Sequence, residues 1–181
     1  FLKQRLLTAE PHQVATIASI LADHKNELLG DLWSMLDTSN PDHDQHLLHA
    51  ASALAKYDPD NGQKWTAVAP RVSRRLVNEN SLRVAVWIGL LRPVREYLVP
   101  PLAGVFRARP SDWSQSEVDL ATDVLGEYAA DDLDQLSELV LDANPKQFAS
   151  LFDKLQSHGD AAIAKLDEEI NRVLTPWWDD P

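Results

Sequence analysis

The chain contains no cysteine in 181 residues. That excludes disulfides, thiol catalysis and cysteine-bound zinc, and it leaves the redox compartment open. Glycine is scarce at six, and no two glycines lie close enough in sequence to cradle a phosphate. Long apolar runs are missing as well. The longest charge-free one is Tyr97–Phe106, broken by Pro100 and Pro101, whereas a membrane span needs about 20 residues. No signal peptide is visible. A soluble, cytoplasmic segment with no membrane contact is expected. Because the chain opens on Phe1 at a repeat boundary, it reads as a piece of a longer protein.

Positive charge is lacking in one region only. Residues 114–181 hold 4 Lys+Arg against 16 Asp+Glu, whereas residues 1–113 hold 13 against 12, so the net charge of -11 comes entirely from the last third. The middle is the opposite. Arg71–Arg109 contains eight arginines, no lysine, and only Glu79 and Glu96 as acids. A basic belt and an acidic end can pair within the chain or serve separate partners.

What the chain does have is self-similarity. Residues 5–36 overlay residues 75–106 at a shift of 70 with seven identities in 32 positions, among them Val14/Val84, Leu21/Leu91 and Leu32/Leu102. A third copy, Leu141–Ile170, follows at a further shift of 64, with Phe148 for Val84, Leu155 for Leu91 and Leu166 for Leu102. His46–Asp60 overlays Glu117–Asp131 at a shift of 71, so that Tyr57 matches Tyr128. A 70-residue unit of two helical hairpins, about 35 residues each, is the length of a helical repeat. The tetratricopeptide and ankyrin signatures are absent, and a HEAT/armadillo-like α-solenoid fits best. The expected fold is therefore all-α, with about ten helices in stacked hairpins. It forms one domain over 1–174, with units 5–74, 75–138 and 139–174 and a tail at 175–181.

Apolar residues at spacings of three and four support this reading. They predict helices around Val14–Leu21, Leu28–Leu36, Leu47–Tyr57, Gln63–Val77, Leu82–Leu91, Pro93–Arg107, Ser114–Ala129, Leu133–Leu141, Pro145–Leu155 and Asp160–Leu174, and no strand. Turn and capping residues fall between them, in "SNPDHD", "YDPDNG", "RPSDWS" and "DANPK". Pro100–Pro101 predicts a helix beginning near Val99 after one loose turn. Trp33 and Trp87 fall at core positions. Trp65 and Trp113 fall near turns and are expected to be half exposed, and Trp177–Trp178 to fold back over the last repeat.

Three constellations could carry chemistry. His46 and His49 share a helix face beside Asp44 and are weak candidates for a metal, lacking a fourth fixed ligand. The acids of Asp123–Asp134 and Asp167–Glu169 read as solvated faces. Arg71, Arg74 and Arg75 share a face, and Arg92 and Arg95 follow in the next hairpin. Arginine's bidentate donors suit carboxylate or phosphate, so these five residues form a candidate interaction patch, or else a ladder between neighbouring helices. No catalytic residue and no cofactor are indicated.

The phrases "LLRPVREYLVPPLAGVFRA", "LLTAEPHQV" and "VLGEYAADDLDQLSELVLDANPKQF" resemble the HEAT-like helical region of large bacterial multidomain serine/threonine kinase proteins. That region lies between the kinase domain and a domain like the formylglycine-generating, sulfatase-modifying enzymes. The resemblance covers nearly the whole chain and involves no catalytic motif. "HRD" and "DFG" are absent. It implies a non-catalytic scaffold or spacer, with neighbouring domains or an acidic or phosphorylated protein segment as partner. The alternative is a HEAT-like nucleic-acid-binding protein or DNA-repair glycosylase, which the net charge disfavours.

Overall fold

The computed structural model describes residues 2–37, 41–108 and 112–171. Every regular element among them is helical, and there are eleven α-helices. They are α1 (Leu2–Leu7), α2 (Pro11–Ile20), α3 (Lys25–Asp37), α4 (Leu47–Tyr57), α5 (Gly62–Val77), α6 (Ser81–Leu91), α7 (Arg95–Phe106), α8 (Gln115–Ala129), α9 (Leu133–Asp142), α10 (Pro145–Gln156) and α11 (Asp160–Ile170). Short 3₁₀ turns lie at Ala22–His24, Pro41–His46 and Arg92–Val94. The predicted continuation to Leu174, the tail 175–181 and Arg109 lie outside the described residues.

The order of elements recurs at the shift seen in the sequence. Helix α2, a 3₁₀ turn and α3 begin at residues 11, 22 and 25. Helix α6, a second 3₁₀ turn and α7 begin at 81, 92 and 95, each 70 later. Helix α10 begins at 145, 64 after α6. Buried residues follow the same register. Leu21, Leu91 and Leu155 are buried, as are Leu32 and Leu102, while Leu166, on the last helix, is half-buried.

The chain divides into two compact units, Phe1–Tyr128 and Ala129–Pro181. The first is organised about α4, which packs against α1, α2, α3, α5 and α6. Nine of the eleven residues of α4 are buried, with Ala50, Ala51, Ala53 and Ala55 among them. Small side chains on all sides allow helices to approach closely from several directions. In the second unit, α9 packs against α10 and α11. Helix α10 starts with a full capping box: the Asn144 side chain accepts from Lys146 and Gln147, and Gln147 returns a bond to the Asn144 N–H.

Two local expectations are corrected. Pro100 and Pro101 sit inside α7, which starts at Arg95, not near Val99. Their missing N–H groups would have bonded the carbonyls of Glu96 and Tyr97. Glu96 and Pro100 are exposed, so water can serve the freed group. Trp65 is fully buried, not half exposed. Its indole N–H donates to the Asp58 carbonyl at 2.9 Å, so the turn after α4 folds over the ring.

Candidate functional site

The candidate site residues lie on the 3₁₀ turn before α4, on α4 and α5, on the turn before α7 and at the start of α7. His46, the last residue of the turn before α4, and His49, in the first turn of α4, both point at the end of α1. His46 Nδ1 donates to the Leu7 carbonyl and His49 Nε2 to the Ala9 carbonyl, each at 2.8 Å. A carbonyl only accepts, so both nitrogens carry protons. These bonds satisfy carbonyls that a helix C-terminus leaves open, and they commit one nitrogen on each ring.

The second nitrogen of His49 is in a different position. His49 Nδ1 is buried without a hydrogen-bond partner, and so is Trp87 Nε1, while the two rings meet edge to face at 4.9 Å. Burial lowers the His49 pKa below 6.5, with nearby His46 and Arg75 adding to the effect, and the Ala9 carbonyl and Glu79 opposing it. Among the described residues no group of three His, Asp or Glu is placed to hold a metal ion.

The five candidate arginines do not converge on one groove. Arg71 donates to the Leu36 carbonyl at 2.9 Å and pairs with Asp44 at 2.6 Å. Arg75 reaches the Asp44 carbonyl at 3.3 Å and the Glu79 carboxylate at 3.1 Å. Both therefore tie α5 to the segment entering α4. Arg92 donates to the Glu127 carbonyl of α8 at 3.3 Å. Arg95 opens α7 and is half-buried.

Arg74 is the exception. It is exposed, and its guanidinium stacks over the Trp113 ring with 4.9 Å to the ring centre. The pair borders a cleft of about 410 Å³ between α5 and α7, whose described walls include Pro70, Arg71 and Pro101. Interior prolines of both helices thus face one cleft. A flat ring, a cation held over it and apolar walls suit a ligand with an anionic group on an apolar stem. Sequence reading placed Trp113 near a turn. Nothing in the local pattern could show that it meets Arg74, which lies 39 positions earlier.

A second missed feature is Glu117. Its carboxylate accepts from the N–H and hydroxyl of Ser114, at 2.8 and 2.7 Å, and from the Asn78 side chain at 2.9 Å. These bonds, led by the Ser114 hydroxyl, hold its pKa below 4.5. His46 and Glu117 are aligned positions, and each reaches back to the end of an earlier helix, to Leu7 at the end of α1 and to Asn78 at the end of α5 respectively. The S-x-x-E spacing of Ser114–Glu117 was the available signal.

No protein family, no curated protein and no solved structure matches the chain. Among the described residues no helix is long and apolar enough to cross a membrane.

Proposed function

We propose that this chain is a non-catalytic helical-repeat module, an α-solenoid of the HEAT or armadillo kind. In this reading it spaces neighbouring domains and binds an acidic or phosphorylated protein segment. The observation that carries it is how the reactive side chains are used. His46, His49, Arg71 and Arg75 are each bonded to a backbone carbonyl of another element, so they fasten helices together and do not line a common reaction centre. The recurrence of element starts at 70 residues supports the repeat architecture. A spacer between a kinase and a sulfatase-modifying domain, as the sequence resemblance implies, is compatible with both.

The docking place in this reading is the cleft beside Arg74 and Trp113. Arg74 is exposed with its cation over a ring, so a carboxylate or phosphate can reach it, in competition with the nearby Glu117 carboxylate. The test is fluorescence anisotropy with a library of acidic and phosphothreonine peptides, and with a 20-base-pair DNA duplex at low salt. Peptide binding that Arg74→Glu weakens at least tenfold is expected, with no DNA binding. Binding of DNA that depends on Arg71, Arg74 and Arg75, with no peptide response, would replace this reading by the nucleic-acid one.

A further inference from the structure

Of the six glycines, only Gly62 follows an asparagine. The fold uses both residues. A Cβ at position 62 would lie 3.2 Å from the Tyr97 hydroxyl, closer than side chains normally pack, so glycine is favoured there. Asn61 is the N-cap residue of α5, and its side-chain amide donates to the Asp58 carboxylate at 2.9 Å. Its carbonyl accepts the first hydrogen bond of α5, from the Trp65 N–H at 3.0 Å. The same pair is chemically labile. Glycine has no side chain to hinder its own amide nitrogen, so that nitrogen can attack the carboxamide beside it.

Attack by the Gly62 nitrogen on the Asn61 Cγ forms a C–N bond and closes a five-membered succinimide. The Gly62 nitrogen gives up its proton, and the side-chain nitrogen leaves as ammonia. Water then opens the ring at either carbonyl, giving aspartate or isoaspartate at position 61. The closed turn holds this reaction back. The ring forms only when the Gly62 nitrogen eclipses the Asn61 Cβ across the Cα–C bond. At the Asn61 ψ of 67° the two lie trans instead. The Gly62 N–H is also bonded to the Asp60 carbonyl at 2.9 Å, and the leaving amide to Asp58. Turning ψ by half a revolution breaks these bonds and the first turn of α5.

We propose that Asn61 is a deamidation site gated by opening of the Tyr57–Gly62 turn, and that the product holds the turn open. In isoaspartate the main chain runs through the former side chain and gains one carbon. The carbonyl that Trp65 used then leaves its register, and the amide donor to Asp58 is gone. Aspartate turns the bond to Asp58 into a contact between two carboxylates, which repel. Closed copies of the turn are therefore protected, and modified copies stay loose. The site is independent of the Arg74 cleft, so either can fail without the other.

The test incubates the 181-residue chain in mildly alkaline buffer beside a synthetic peptide of residues Tyr57–Trp65. Peptide mapping with isoaspartate detection follows both. Conversion at Asn61 is expected in each, about tenfold or more slower in the chain, where it must wait for local opening. Urea below the unfolding transition should speed the chain's reaction. Asp58→Ala should speed it in the chain with unchanged circular dichroism, and leave the peptide's rate unaltered. The purified isoaspartyl chain should unfold at lower urea than the parent. Four outcomes overturn the proposal. A chain that reacts as fast as the peptide has no gate. A slow chain indifferent to both urea and Asp58→Ala is gated elsewhere. A chain that stays unmodified even in urea, while the peptide converts, makes Asn61 no site. An isoaspartyl chain with an unchanged urea midpoint does not hold the turn open.

Discussion

The Tyr57 hydroxyl donates to the carbonyl of Ala18 at 2.7 Å, inside the core formed by α2 and α4. Tyr57 is 7% exposed, so the bond is shielded from water. Tyr57→Phe should lower unfolding stability by about 1 kcal/mol, the usual net worth of such a bond. Tyr128→Phe should cost less, because its bond to Ile88 is longer, at 3.4 Å. Urea titration of both variants checks the order, and equal losses would mean that bond length does not govern the effect.

Leu102 is fully buried on α7, whereas its counterpart Leu166 on α11 is half-buried. Leu102→Ala should cost about 2–5 kcal/mol and Leu166→Ala clearly less. The comparison tests the third copy of the register: a Leu166 loss as large as that at Leu102 would show a leucine far better packed than its exposure indicates.

His49 couples stability to pH. Its folded-state pKa lies below the unfolded value of 6.5, so between the two the unfolded chain binds more protons. Stability is then full above pH 6.5 and falls as pH drops toward the folded value, by at most about 1.4 kcal/mol per unit. His49→Gln should flatten the slope between pH 6.5 and 5 relative to the parent chain. Parallel slopes would remove His49 as the cause.

Pro100 is exposed within α7 and lacks the N–H that the Glu96 carbonyl would accept. Proline costs about 3 kcal/mol against alanine in a helix interior, offset by about 0.4–1 kcal/mol of unfolded-state entropy. Pro100→Ala should therefore stabilise the chain by about 2 kcal/mol in urea titration. A loss of stability would mean that the proline ring itself is packed.

The ten longer helices were legible because each carries an apolar stripe over several turns. The six residues of α1 are too few for a period to show. Pro100–Pro101 misled for a physical reason. Local propensity forbids proline in a helix, but packing of α7 against α5 and an exposed Glu96 outweigh it. Trp33 and Trp87 were placed correctly by helix register. Trp65 was misread because "YDPDNG" marks a turn without showing that the turn closes over an indole. The five arginines share a helix face or neighbouring hairpins in sequence, yet apart from the local pair Arg75–Glu79 the partners of Arg71, Arg74, Arg75 and Arg92 come from Leu36, Asp44, Trp113 and Glu127, separations no local pattern encodes. The alignment of Phe148 with Val84 was readable, but the exposure of Phe148, 41% against 6% at Val84, was not, since register does not fix what packs on a face.

Asp58 accepts from the Trp33 indole through its carboxylate, at 3.0 Å, and from the Trp65 indole through its carbonyl, at 2.9 Å, while the two rings meet edge to face at 5.1 Å. One turn residue thus holds two fluorophores. Loosening the turn while the helices stay intact would hydrate both indoles together and shift their emission to longer wavelength. The Tyr57–Gly62 turn therefore carries its own optical gauge, sensitive to local opening before circular dichroism registers any loss of helix.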